Sequence, residues 1–139
     1  MFSNLFSRKL LDGNDEISES EAMAALMVRI AKSDDDYAIA ECERIDAILS
    51  ILYGLSLVEA SSLRSKAETL EADAPDTVRF TRAIKDAVPY EGRFDVVRAL
   101  WQVVLADGER DHEEDALMRL LASLLGVNDR DSAIARKEA

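Results

Sequence analysis

The chain has 139 residues, a length that favours one domain, and 17 basic residues against 28 acidic ones give it a formal charge of -11. That charge repels phosphate backbones and anionic headgroups, so direct nucleic-acid binding is not expected. Hydrophobic residues make up 48% of the sequence, and only five Gly and two Pro interrupt a background rich in Ala, Leu, Ile, Glu, Asp and Arg. Such a composition can bury a core and favours helices over a many-stranded sheet, so the expected class is all-α.

Residues 1–17 read as a separate N-terminal segment, partly ordered or a short helix, and 18–139 as a single helical domain. Phe2, Leu5, Phe6, Leu10 and Leu11 give the segment an apolar side, while Ser7, Arg8 and Lys9 break any secretory core. Two fates suit such a stretch: packing or fraying at its own domain, or lying on a membrane surface as an amphipathic helix. No apolar run approaches the ~20 residues that span a bilayer. The lone Cys42 has no second thiol for a disulfide or a shared zinc, which points to a reducing, cytoplasmic setting. Cys42 itself reads as a packed or half-exposed helical residue.

Seven helices are predicted in chain order. Ser18 with Glu21 forms a capping box, and Met23, Leu26, Met27 and Ile30 follow at helical spacing to about Ser33. After Asp34-Asp35-Asp36, a second helix carries Ile45, Ile48, Leu49 and Leu52 and stops near Gly54. Ser56 and Glu59 open a third, which ends before Ala74-Pro75 because the residue before Pro disfavours helix. Asp76 caps a fourth, with Val78, Thr81, Ile84 and Val88 as its inner edge. The fifth, Glu91 to Ala106, is the most apolar and is expected to be the central core helix, with Trp101 against the inner faces of the second and sixth. The sixth opens at Asp111 and Glu114 and ends at Gly126, and a short seventh follows Asn128.

The halves repeat. A 72-residue shift lays the second helix on the sixth, pairing Glu41 with Glu113, Ile45 with Leu117, Ile48 with Leu120, Leu49 with Leu121, Leu52 with Leu124 and Gly54 with Gly126. A 73-residue shift lays the first on the fifth, pairing Met27 with Leu100, Val28 with Trp101, Ile30 with Val103, Ala31 with Val104 and Asp34 with Asp107. Sliding amphipathic helices aligns apolar faces by itself, but not an Asp at one end, a Glu early in the next helix and a Gly at its stop. The expectation is a compact bundle of about seven helices in which two hairpins, about 22–54 and 95–126, are related by a pseudo-two-fold axis.

Ala106-Asp107-Gly108, then Glu113 and Glu114, then a Leu-rich stretch ending in Leu125-Gly126-Val127, resembles the second repeat of TerB-like tellurite-resistance domains. Phe80-Thr81-Arg82-Ala83-Ile84-Lys85 and Asn128-Asp129-Arg130 are similar to an uncharacterised bacterial branch of that family, and the resemblance runs from about Ser18 to Ala133. It implies a compact helical domain with pseudo-two-fold halves, a link to stress or tellurite resistance, and work in protein assemblies near the cytoplasmic membrane. The first repeat departs from the second by having Asp34-Asp35-Asp36 where the second has Asp107-Gly108, and a left-handed turn is easier for Gly than for Asp.

The acidic loops carry the sharpest chemistry. Asp107, Glu109, Asp111, Glu113 and Asp115 alternate like the odd positions of a calcium loop, but His112 and Met118 stand where that loop needs Gly and a bidentate Glu. Capping by Asp111 and the helix dipole account for much of the cluster. The competing reading is a divalent-ion site of Asp107 with Glu113 or Glu114, mirrored by Asp34 or Asp35 with Glu41, and hard oxygen ligands there suit calcium, magnesium or manganese.

Enzyme chemistry is not expected. His112 is the only histidine, it has no nucleophile beside it in sequence, and Gly92 and Gly108 stand alone rather than in a phosphate loop. The preferred function is a non-enzymatic interaction domain docking protein partners in a bacterial stress-response system. The alternative is a divalent-metal sensor or metal-dependent hydrolase using the acidic loops.

Overall fold

The computed structural model describes residues 17–33, 37–74, 76–107 and 112–139, with side chains at 107 and 112–114 left aside. Among the described residues there are seven α-helices and no strand: α1 Glu19–Lys32, α2 Ile39–Tyr53, α3 Leu57–Asp73, α4 Val78–Ala87, α5 Tyr90–Val104, α6 His112–Leu124 and α7 Asp129–Glu138. A single 3-10 turn, Leu105–Asp107, extends α5. The readings for Met1 to Leu11, for Asp34, Asp35 and Asp36, for Gly108 and Glu109, and for the cap at Asp111 lie outside the described residues.

Local chemistry sets the boundaries. The Ser18 hydroxyl accepts from the Glu21 N–H at 3.2 Å while the Glu21 carboxylate accepts from the Ser18 N–H at 2.9 Å, satisfying two amides that the first turn leaves open. Ser56 and Glu59 make the same reciprocal pair at the start of α3, at 3.1 and 2.9 Å. Asn128 caps α7 by accepting from the Asp131 N–H at 2.8 Å. Asp76 accepts from the Val78 N–H at 2.9 Å, but Thr77 occupies the capping position, so the brace sits one residue earlier than a regular cap. The inner edge of α4 also differs from expectation: Phe80, Thr81 and Ile84 are buried, Val78 is 40% exposed, and Val88 lies past the helix end.

Gly54 and Gly126 take left-handed conformations at φ 64° and 78°. After Gly54 the Leu55 N–H donates to the Ser50 carbonyl at 3.1 Å, and after Gly126 the Val127 N–H donates to the Ala122 carbonyl at 2.9 Å. The positions that a 72-residue shift equates therefore carry the same left-handed cap, in which an N–H closes back five residues. Burial along the equated helices is less even: Ile48 is buried while Leu120 is 49% exposed.

The helix at the centre is α1. Every residue from Glu21 to Val28 is buried, and α1 contacts α2, α3, α4, α5 and α6. The cause is size: Ala22, Ala24, Ala25 and Ala31 let neighbouring backbones approach on several sides, and Met23, Leu26, Met27 and Ile30 fill the space between them. This corrects the expectation that placed α5 there. Helix α5 buries Val96, Val97, Ala99, Leu100, Trp101, Val103 and Val104, but it leaves Leu105 exposed and packs most extensively on α7.

Candidate functional site

Of the acidic residues singled out from the sequence as metal ligands, only Glu41 has a described side chain. Asp107 ends the 3-10 turn and Glu113 and Glu114 lie in the first turn of α6, their side chains outside the described set, and Glu41 is half-buried in the first turn of α2. Among the described residues no group of three His, Cys, Asp or Glu side chains is arranged to hold a metal ion.

Two ion-pair networks fix the frame. Arg29 on α1 donates to the Glu71 carboxylate at 3.0 Å and to the Glu71 and Ala74 carbonyls at 3.2 and 2.9 Å, while Lys32 donates to Glu71 at 2.8 Å. Burial would raise the Glu71 pKa, but the hydrogen bonds and charges of Lys32 and Arg29 outweigh it and hold the carboxyl below its ordinary value. Arg64 on α3 reaches Asp46 at 2.7 Å and Glu68 at 2.9 Å, and the Tyr37 hydroxyl donates to Glu68 at 2.6 Å. Burial, then the bond to Glu68, raise the Tyr37 pKa, and the bond to Asp46 raises that of Arg64. Both networks tie one helix to another, and their charged groups are engaged with each other.

One arrangement with room for a ligand is a groove between α5, α6 and α7. It encloses about 520 Å³ and is lined by Trp101 and Leu105, by Asp115 and Arg119 of α6, and by Asp129, Ser132, Arg136 and Lys137 of α7. Trp101 forms its aromatic wall: the indole N–H donates to the Ser132 hydroxyl at 3.1 Å, and the Arg136 guanidinium lies 5.1 Å from the ring centroid. Trp101 thus sits against α7 and shares the groove with α6, and it stands there although only 7% of it is exposed. Such a wall, whose three cations outnumber the two carboxylates of Asp115 and Asp129 in the same lining, can take an apolar group and an adjacent carboxylate together. The sequence reading found Trp101 but not Ser132, Arg119, Arg136 or Lys137. The available signal was a cluster of basic residues on the last helix of an acidic chain.

No single helix among the described residues is long and apolar enough to cross a membrane. Nothing among curated proteins or solved structures matches the chain. A family model does: the one described as tellurite resistance protein TerB matches residues 20–137, which takes in all seven helices except the first residue of α1 and the last of α7. The capped helices and the paired glycine stops thus stand within a family match over nearly the whole sequence, and the chain belongs to the TerB family.

Proposed function

We propose that this chain is a non-enzymatic docking domain of a bacterial stress response related to tellurite resistance, acting in the cytoplasm and seating a partner protein in the groove beside Trp101. The observation that supports this reading is the groove itself: an aromatic wall held by Ser132 and flanked by Arg119, Arg136 and Lys137. A partner segment with an acidic side chain next to an apolar one suits it, because the carboxylate meets guanidinium and ammonium donors while the apolar group covers the exposed Leu105 beside the indole.

The test is recovery of partners from the native cell with the parent chain and with an Arg119→Glu, Lys137→Glu variant, followed by titration of each purified partner. Both residues are exposed, so reversing them alters the groove without opening the core. The expected result is a partner that binds the parent directly and loses affinity for the variant. Equal binding to both overturns the groove reading. Saturable uptake of calcium, magnesium or manganese by the metal-free chain, abolished by Asp107→Asn, moves the function to the acidic loop instead.

A further inference from the structure

The bend between α2 and α3 exposes apolar side chains that the groove does not use. The chain turns by 112° across Gly54, and around that turn Ile51 is 85% exposed, Val58 80%, Leu57 65% and Leu52 41%. Four large aliphatic side chains within eight residues, most of them largely in water, form a patch that a folded domain ordinarily covers.

The start of the described chain meets the end of α2, the helix from which this patch begins. Ile17 packs against the core, and the Glu19 carboxylate is next to the Tyr53 phenol, whose pKa burial and Glu19 together raise. Tyr53 immediately precedes Gly54, so the residues before Ile17 start at the edge of the bend. Those residues have complementary chemistry: Phe2, Leu5, Phe6 and Leu10 recur at the spacing of one helical face, and the first eleven residues carry Arg8 and Lys9 but none of the 28 acidic residues. A stretch of that length spans about 16 Å as a helix, and the five residues Asp12 to Glu16 reach about 17 Å when extended, enough to lay it across the bend.

We infer that Met1 to Leu11 is the occupant of the Ile51, Leu52, Leu57 and Val58 patch, covering it with the Phe2, Leu5, Phe6 and Leu10 face while Arg8 and Lys9 meet carboxylates such as the exposed Glu59 that follows Val58. The segment is an intramolecular cover, and a membrane or a second copy is the competing occupant.

The experiment places a spin label on Ser3→Cys in the full chain, with Cys42→Ser so that the label has one thiol, and reads the methyl resonances by NMR. The expected result is loss of the Ile51, Leu57 and Val58 methyl signals through the chain's own label, with recovery when Phe6→Asp is added. Unaffected methyls overturn the inference. Signal loss only when labelled chains are mixed with separately enriched ones assigns the patch to a second copy and also overturns it. Binding to vesicles of anionic phospholipid through the segment, with the patch methyls insensitive to the label before and after, overturns it in favour of a membrane. A chain without residues 1–11 that binds the hydrophobic dye ANS more strongly than the parent, while keeping its methyl spectrum elsewhere, gives a second, label-free reading of the same cover.

Discussion

Arg29 and Glu71 stand 42 positions apart in sequence and meet at 3.0 Å, and the same guanidinium also closes the end of α3 by donating to the carbonyls of Glu71 and Ala74. One side chain of the central helix therefore neutralises a buried carboxylate and satisfies backbone acceptors at a helix terminus. The two groups are only 18% and 10% exposed, which separates this pair from surface ion pairs. Arg29→Met should destabilise the domain by about 3 kcal/mol, since it strands the carboxylate and two carbonyls together. Lys32→Met should cost under about 1 kcal/mol, because Lys32 is 43% exposed and water replaces it. Urea denaturation of both variants checks the difference, and equal costs would show that Arg29 is not the principal brace.

The acid response follows from the same carboxylate. Glu71 and Glu21 both have pKa values below the ordinary 4.5: burial acts to raise each, and the hydrogen bonds from Lys32 and Arg29 in one case, and from Lys66 and the Ser18 N–H in the other, outweigh it. A folded pKa below the unfolded one means that the folded state resists protonation. The resulting stability is complete above the unfolded value and is lost as pH falls through the folded one. Urea midpoints should stay nearly level from neutral pH toward 4.5 and fall below it. Glu71→Gln should start lower and fall less steeply; an acid limb identical to the parent's would remove Glu71 from the account.

What the sequence made legible is what neighbouring residues decide. The capping boxes at Ser18 and Ser56, the glycine stops at Gly54 and Gly126 and the break at Ala74 depend on contacts within a few residues, and each lies where its local pattern placed it. The centre of the bundle was not legible. Helix α1 draws its burial from small alanines, which carry little hydrophobic signal and matter only once other helices close on them. The groove was missed for a related reason: Trp101 and Ser132 are 31 positions apart, and their meeting depends on how α5 crosses α7. The acidic pattern from Asp107 to Asp115 falls mostly outside the described residues, and spacing alone does not separate caps from ligands.

Trp101 is the residue on which the packing of α7 depends. Trp101→Ala should cost about 3–5 kcal/mol through loss of a large buried side chain. Ser132→Ala should cost about 1–2 kcal/mol by leaving a buried indole N–H without its acceptor. Trp101→Phe removes that donor and keeps most of the apolar area, so adding Ser132→Ala to it should cost much less than in the parent. A double-mutant cycle on thermal unfolding reads the coupling directly, and strictly additive costs would mean that the hydrogen bond contributes nothing.

The two glycine stops test whether the hairpin ends are energetic as well as sequence counterparts. At Gly54 an added Cβ meets nothing within 4 Å, and at Gly126 its nearest neighbour is Arg93 Nη1 at 3.5 Å, an ordinary contact. Space is therefore not what excludes a side chain at either position. The left-handed backbone is, at φ 64° and 78°. Gly54→Ala and Gly126→Ala should each cost about 1–2 kcal/mol, the ordinary strain of an L-residue there. Gly→Asn at either site should recover part of that cost, since Asn tolerates this conformation better than most residues. Matched losses at the two sites, with matched recovery by Asn, are expected if the left-handed cap contributes alike to both hairpins. If Gly126→Ala is harmless while Gly54→Ala is costly, the shared cap geometry does not carry shared energetics, and the two halves rely on different contacts to end their second helix.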